Sequence, residues 1–255
     1  MTFEPQNNLE ISLLKAATDP VHRPQFYKDF VQSDVFIIQE GPPPEKGGTT
    51  VLNTGYQLNI RNIDWNAKQV IPIFSSLPRL QAILQDEAGY IALNALKFME
   101  ITQGGDLLLN PGSDYGKEFT KEEIATILDG SIWKPTESFV AEKDTQIMIG
   151  QPARYPKDLV EALSRLFKKT KEVKKAYVAH FFNPEKDEKP HTLIAVEATG
   201  NWNSIVASAG MVARDVPSPD PPVDFIQILG KEDIADYFIR ECKPFYERKL
   251  FGIFR

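Results

Sequence analysis

The residues best placed to do chemistry lie between two apolar elements, in the run Leu107-Leu108-Leu109-Asn110-Pro111-Gly112-Ser113-Asp114-Tyr115-Gly116-Lys117-Glu118-Phe119. Asn110, Ser113, Asp114, Tyr115, Lys117 and Glu118 supply carboxylates, hydroxyls, an amide and an amine within nine residues. Gly112 and Gly116 permit the positive φ or close backbone approach that anion-binding loops need. Such a loop can form a polar binding pocket. It lacks the Gly-rich, Lys-Ser/Thr spacing of a phosphate loop. The structural alternative is an ordered connection in which Ser113 and Asp114 bond their own backbone, as turn residues do.

The other reactive side chains are sparse. His22, His180 and His191 show no HxxxH or HxH spacing, and Cys242 is the one cysteine, so no metal site is expected. His180 falls in one expected strand and His191 just before the next. They approach each other only if that hairpin takes a suitable register; otherwise they are ordinary packed or surface imidazoles. No GxSxG elbow occurs, and Cys242 has no adjacent histidine to act as base. No catalytic residue and no cofactor is expected. Arg165, Lys168, Lys169, Lys171, Lys174 and Lys175 form the densest charge, suited to an acidic partner or to the C-terminal end of a helix. Without interleaved aromatics, and in a chain of net charge -6, they do not indicate nucleic acid.

The elements that must position these groups follow from periodicity and punctuation. In the first half, capping residues at Asn7-Asn8 precede a helix carrying Leu9, Leu13 and Ala16, and a second helix covers Gln25 to Val31. Strands are expected at Val35–Ile38, around Tyr56–Asn62, at Gln69–Phe74, at Tyr90–Leu93 and at Leu107–Leu109. An exposed loop at Gly41–Gly48 and a turn at Asp64-Trp65-Asn66 separate the earlier ones. Pro72 argues for a sheet edge or a bulge. Ser75-Ser76-Leu77-Pro78 opens a helix with a hydroxyl cap. Ala95–Ile101 is a short helix, and Thr120-Lys121-Glu122-Glu123 is a capping box for another that stops at Gly130.

Periodicity lapses between Ser131 and Thr145, which reads as a linker dividing a domain of residues 1–140 from one of 141–255. The second domain runs strand (Gln146–Gly150), helix from Pro156, strand (Ala176–Phe182), strand (Leu193–Ala198), helix (Asn203–Arg214), strand (Val223–Leu229). That β-α-β-β-α-β order predicts an α+β, ferredoxin-like sandwich. A helix at Asp233–Arg240 and the tail Phe245–Phe254 are additions to it. One cysteine, no signal-peptide pattern and no apolar run of roughly 18–20 residues favour a soluble cytoplasmic protein with no membrane role.

Several segments together resemble the enhanced serine sensitivity (SseB) family. In the first half these are Ile73-Phe74-Ser75-Ser76-Leu77-Pro78-Arg79-Leu80 and Leu107-Leu108-Leu109-Asn110-Pro111-Gly112-Ser113. In the second they are Ile149-Gly150-Gln151-Pro152, Tyr155-Pro156 and Lys175-Ala176-Tyr177-Val178-Ala179. The resemblance spans residue 9 to the C-terminus and covers both domains of that family. It implies a bacterial cytosolic protein whose raised dosage is associated with sensitivity to serine, and it brings no catalytic residues. The sequence therefore points to a non-enzymatic interaction or regulatory protein, engaging an unknown protein partner or itself through a sheet edge. The rival is a small-ligand module, for an amino acid or related anion, between the domains or at the loop after Leu109. An enzyme of unrecognised type stands third.

Overall fold

The computed structural model describes residues 3–41, 59–84, 87–102, 104–134, 147–229 and 233–248. The chain divides into two compact units, Met1–Gly130 and Ser131–Arg255. A 3-10 turn at Ser131–Trp133 packs on the helix Trp202–Arg214 of the second unit, and residues 135–145 of the expected linker lie outside the described residues.

The first unit opens with helix α1 (Asn8–Thr18), whose N-cap Asn7 accepts a hydrogen bond from the Glu10 amide. A 3-10 turn, Pro20–His22, returns the chain into α2 (Arg23–Gln32). Strand β1 (Asp34–Ile38) follows, and the chain between 42 and 58, with its expected loop and half of its expected strand, is outside the described residues. Strands β2 (Ile63–Trp65) and β3 (Lys68–Phe74) form a two-residue hairpin in which Asn66 and Ala67 take φ 49° and 63°. Positive φ at both positions matches the strand twist of a type I′ turn. After β3 come α3 (Leu77–Gln81), β4 (Tyr90–Asn94), α4 (Ala95–Ile101), β5 (Asp106–Leu109), β6 (Lys117–Phe119) and α5 (Lys121–Leu128).

The sheet order is β4-β1-β3-β5-β6, with β2 beside β3. Val35, Ile37, Ile73, Leu107, Leu109 and Phe119 lie on one face, completely buried. Phe26 and Phe30 of α2 cover that face, and the Phe30 ring stacks on Phe119 at 4.4 Å. The opposite face packs Ile38 and Phe74 against Leu80 of α3. Pro72 is not at an edge: it sits in the central strand, paired with Leu108. The β1 ladder stops at Ile37↔Ile73, and Ile73 O is turned toward β5, where it accepts from Asn110 N. Pro72 therefore lacks its N–H on the β1 side, just past the end of that ladder, where no donor is needed.

The second unit contains β7 (Met148–Gly150), α6 (Lys157–Lys169), β8 (Val173–Phe182), β9 (His191–Ala198), α7 (Trp202–Arg214), β10 (Val223–Gln227), α8 (Asp233–Glu241) and β11 (Tyr246–Glu247). The α+β class and the β-α-β-β-α-β succession hold, but the pairing departs from the ferredoxin-like split. The sheet order is β10-β9-β8, with β7 and β11 both antiparallel on the far side of β8. A split motif inserts a strand between two parallel strands joined by a helix; here β9 and β10 are direct parallel neighbours joined by α7. Both faces are covered. Tyr177, Ala179, Phe181, Leu193 and Ala195 pack against Ala235 and Phe238 of α8. On the Ala176 face, Tyr246 stands 5.9 Å from Phe167 of α6. No helix among the described residues is long and apolar enough to cross a membrane.

Candidate functional site

The polar run after β5 folds as a tight connection whose side chains diverge. Asn110 takes φ 53° and is buried, with its carboxamide turned into the protein rather than into the loop. Its Oδ1 accepts from Ser75 N at 2.9 Å, and its Nδ2 donates to Ser75 Oγ at 2.8 Å. Ser113 N closes the turn on Asn110 O at 3.2 Å. A Cβ at Gly116 would lie 2.6 Å from Leu109 O, so only glycine fits there. The Tyr115 ring meets Phe3 edge-on at 5.1 Å. On β6, Lys117 and Glu118 point to opposite faces. Lys117 Nζ donates to Glu123 Oε2 at 2.9 Å and lies over the Phe119 ring, while Glu118 pairs with Lys68 at 3.6 Å. Asp114 is exposed and makes no polar contact among the described residues. The six residues thus occupy five separate environments.

The expected hydroxyl caps at Thr120 and Ser76 are only partly used as caps. Thr120 accepts from Glu123 N at 3.3 Å, but the Glu123 carboxylate goes to Lys117 and to the Tyr27 hydroxyl. Ser76 stands at the N-cap of α3 without a cap bond from its side chain.

Its hydroxyl belongs instead to a buried polar centre built around Glu10. Glu10 is wholly inaccessible, on the inner face of α1 beside Leu9 and Leu13. Its Oε1 accepts from Ser75 Oγ and Ser76 Oγ, each at 2.7 Å. Its Oε2 accepts from Gln6 N at 2.9 Å and from Arg79 Nη2 at 3.0 Å. Burial by itself raises the Glu10 pKa, but Arg79, Ser75, the Gln6 amide and Ser76 outweigh it, leaving the carboxyl below its ordinary range. Arg79 also donates to Glu4 O at 2.7 Å and lies over the Phe3 ring at 3.9 Å. One carboxylate thereby fixes α1, the β3–α3 junction and, through Ser75, the turn at Asn110. With both oxygens engaged by donors from four residues, Glu10 acts as an anchor between these elements. The sequence signal was thin: a glutamate beside the apolar stripe of α1, and Ser-Ser with an arginine three residues on.

In the second unit the two histidines separate. His180 pairs with Thr192 and His191 with Phe181 across β8 and β9, so adjacent-register positions place the imidazoles on opposite faces. His191 is buried between carboxylates: Nε2 lies 2.9 Å from Asp224 Oδ2 and Nδ1 3.7 Å from Asp187 Oδ2. The Asp224 hydrogen bond raises its pKa, burial opposes this, and the charges of Asp224 and Asp187 with the Lys189 backbone leave it raised. His180 Nε2 stands 3.3 Å from Asp220 Oδ2 without hydrogen-bond alignment, and Asp220 is held by Arg154 at 2.7 Å. Cys242 is buried and accepts from Gln151 Nε2 at 3.2 Å. Among the described residues, no group of three or more His, Cys, Asp or Glu side chains is arranged to hold a metal ion.

The basic run is also engaged by the fold. Lys175 pairs with Glu247 at 3.1 Å and Lys174 with Glu197 at 4.0 Å. The carbonyls after the last turn of α6 are satisfied from a distance by Arg248, which donates to Phe167 O at 2.8 Å, Thr170 O at 2.7 Å and Val173 O at 3.0 Å. No local pattern foretells this, because the donor lies about eighty residues downstream of its acceptors.

Two family models match the chain. The SseB protein N-terminal domain covers residues 9–126, and the SseB protein C-terminal domain covers residues 141–248. Protein SseB of Escherichia coli (strain K12) is 32% identical over 257 residues, covering 99% of this chain and 96% of that protein. Protein SseB of Shigella flexneri matches to the same extent. No solved structure matches.

Proposed function

The chain belongs to the SseB family, and from that premise we propose a non-enzymatic interaction or regulatory protein of the cytoplasm that receives a partner's strand on the open edge of β4. The observation that carries this reading is the state of that edge. β4 is terminal in its sheet, and no strand lies on its outer side among the described residues. Its sequence, Tyr-Ile-Ala-Leu-Asn, contains no charge and no proline. Sheet edges are ordinarily guarded by such residues against pairing with other chains. The opposite edge, β6, carries Lys117 and Glu118, and the edge strand β10 carries Asp224 and follows Pro221–Pro222.

The hydrogen-bond phase of β4 identifies which groups are on offer. Ala95 N donates to Ser33 O and Gln39 N donates to Gly89 O, so alternate residues 89, 91, 93 and 95 face β1. The backbone N–H and C=O groups of Tyr90, Ala92 and Asn94 point away from it. Tyr90 is 44% exposed and stands 5.9 Å from Phe36, an aromatic pair flanking that edge. Strand addition of this kind draws affinity from main-chain bonds and selectivity from alternate side chains. Three groups able to do proton-transfer or covalent chemistry, Glu10, His191 and Cys242, are buried in internal hydrogen bonds, which supports the non-enzymatic reading.

The test compares the wild-type chain with Ala92→Pro, which deletes one outward N–H and none of those facing β1. The wild type is expected to self-associate or retain a partner from native lysate, while the variant, equally stable to heat, does neither. Equal association by both chains would contradict the reading.

A further inference from the structure

We propose, resting on the strand-addition reading, that the strand received at the β4 edge is β4 of a second copy of this chain, antiparallel about a twofold axis at Ala92. The outward main-chain groups belong to Tyr90, Ala92 and Asn94, with Ala92 midway between the others. An isologous pair sets each residue against the one equally far beyond the axis. Ala92 then meets Ala92 of the second copy, Tyr90 meets Asn94, and Ile91 meets Leu93. The main-chain bonds fall on the 92–92 and 90–94 pairs, whose N–H and C=O groups already face outward.

Burial along the strand fits this register. Ile91 and Leu93 pair with Ile37 and Val35 of β1, which are completely inaccessible, yet they are themselves only half-buried. They lack a neighbour on the outer side. In the twofold pair they take the close, non-hydrogen-bonded positions, so each Ile91 is covered by the second copy's Leu93. The apolar layer under α2 thereby continues across the axis. On the other face the axis passes at Ala92, the smallest side chain of the strand, which is exposed. Tyr90, 44% exposed, lies diagonal to the second copy's Ala92, within reach of an aromatic ring.

Charge selects the same arrangement. Nothing charged within β4 opposes its own copy, and the two flanks carry opposite signs. Glu87 stands three residues before the strand and Lys97 three residues after it, in the first turn of α4. Antiparallel pairing brings Glu87 of each copy to the end that holds Lys97 of the other, twice by symmetry. In-register parallel pairing would set Glu87 beside Glu87 and Lys97 beside Lys97. Lys97 already meets Glu100 at 2.9 Å, but it is 63% exposed and an ammonium has three donors. The pair also closes on itself. Each copy spends its one uncharged edge, and β6, with Lys117 and Glu118, remains guarded against further addition.

The experiment combines sedimentation of the full chain with disulfide linking under mild oxidation. Between about 1 and 100 μM the mass should rise from 28.8 kDa to twice that value. Ala92→Pro should weaken self-association about tenfold or more. Residues opposed across an antiparallel pair lie about 4.5–5.5 Å apart at Cα, within disulfide range. Ala92→Cys should therefore link to its own copy. Ile91→Cys and Leu93→Cys should link when the two chains are mixed, and neither alone. The wild type, whose Cys242 is buried, is the unlinked control. Ala92→Cys changes an exposed position, so it decides the matter even if the half-buried variants fail to fold. A chain monomeric throughout this range overturns the twofold pair. If that monomer retains a lysate protein that Ala92→Pro loses, strand addition stands with another occupant; if it retains none, both readings fail. A dimer equally strong in Ala92→Pro also overturns both. Ile91→Cys or Leu93→Cys linking alone as readily as Ala92→Cys overturns the register.

Discussion

Replacing Glu10 with glutamine tests the buried anchor at the level of single atoms. The side chain keeps its size, and the amide oxygen can still accept from Ser75 Oγ and Ser76 Oγ, now at 2.7 Å from the carboxylate. The amide nitrogen then replaces Oε2 and faces Gln6 N, Arg79 Nη2 and Arg79 Nε, so three donors lose their acceptor. Arg79 is 19% exposed and can recover part of its hydration. Charge-assisted bonds contribute about 1.5–3 kcal/mol each before such recovery, giving a net cost of about 2–4 kcal/mol. For a unit of this size that is a fall in Tm of about 8–15 °C. Calorimetry on the full chain, with hydrogen exchange over α1 and α3 to assign the transition, reads it out. The pH dependence has a definite sign. A carboxyl whose folded pKa is lowered contributes stability above its unfolded value and loses it as pH falls through the folded one. The gap between wild type and Glu10→Gln should therefore narrow on acidification. A variant within about 0.5 kcal/mol of wild type at pH 7, or a gap unchanged down to about pH 3, would refute the anchoring role.

Three further outcomes follow from the same geometry. Asp114→Ala, at an exposed position without polar contacts, should change stability by less than about 0.5 kcal/mol; a larger thermal shift would show that the turn depends on it. The raised pKa of His191 gives stability that is complete below its unfolded value near 6.5 and lost as pH rises through the folded one, so protection of residues 183–190, taken relative to the intrinsic exchange rate at each pH, should fall at alkaline pH in wild type and stay constant in His191→Gln. Arg248→Ala removes the donors from Phe167 O, Thr170 O and Val173 O and should cost about 2–3 kcal/mol, with amide exchange rising at the C-terminal end of α6; unchanged exchange there would mean water replaces the guanidinium without loss.

Local chemistry was largely legible along the chain, and pairing was not. Asn7 and Thr120 cap helices as their types predict, and Gly130 stops α5 at φ 74°. Pro72 misled because a missing N–H excludes a strand interior only where a neighbour needs that donor, and here the β1 ladder ends one residue away. The second unit's succession of elements was readable, whereas its strand order depends on contacts between β7, β8 and β11 that no local pattern encodes. His180 and His191 were separated by register alone, since a shift of one residue exchanges the faces of a strand. The anchoring role of Glu10 has almost no local signal, because its partners Ser75, Ser76 and Arg79 lie 65 to 69 residues away. The loop after β5 attracted attention through composition. Its Asn110 and Gly116 are accounted for by a turn locked onto Ser75 and Leu109.

The strand-addition account is tested most directly by hydrogen exchange at single amides of β4 in the isolated chain and in whatever assembly it forms. The amides of Tyr90, Ala92 and Asn94 point outward and should exchange freely in the isolated protein, then become protected in the assembly, with Ile91 and Leu93 protected in both. Assembly that leaves Tyr90, Ala92 and Asn94 exchanging as before would contradict the account.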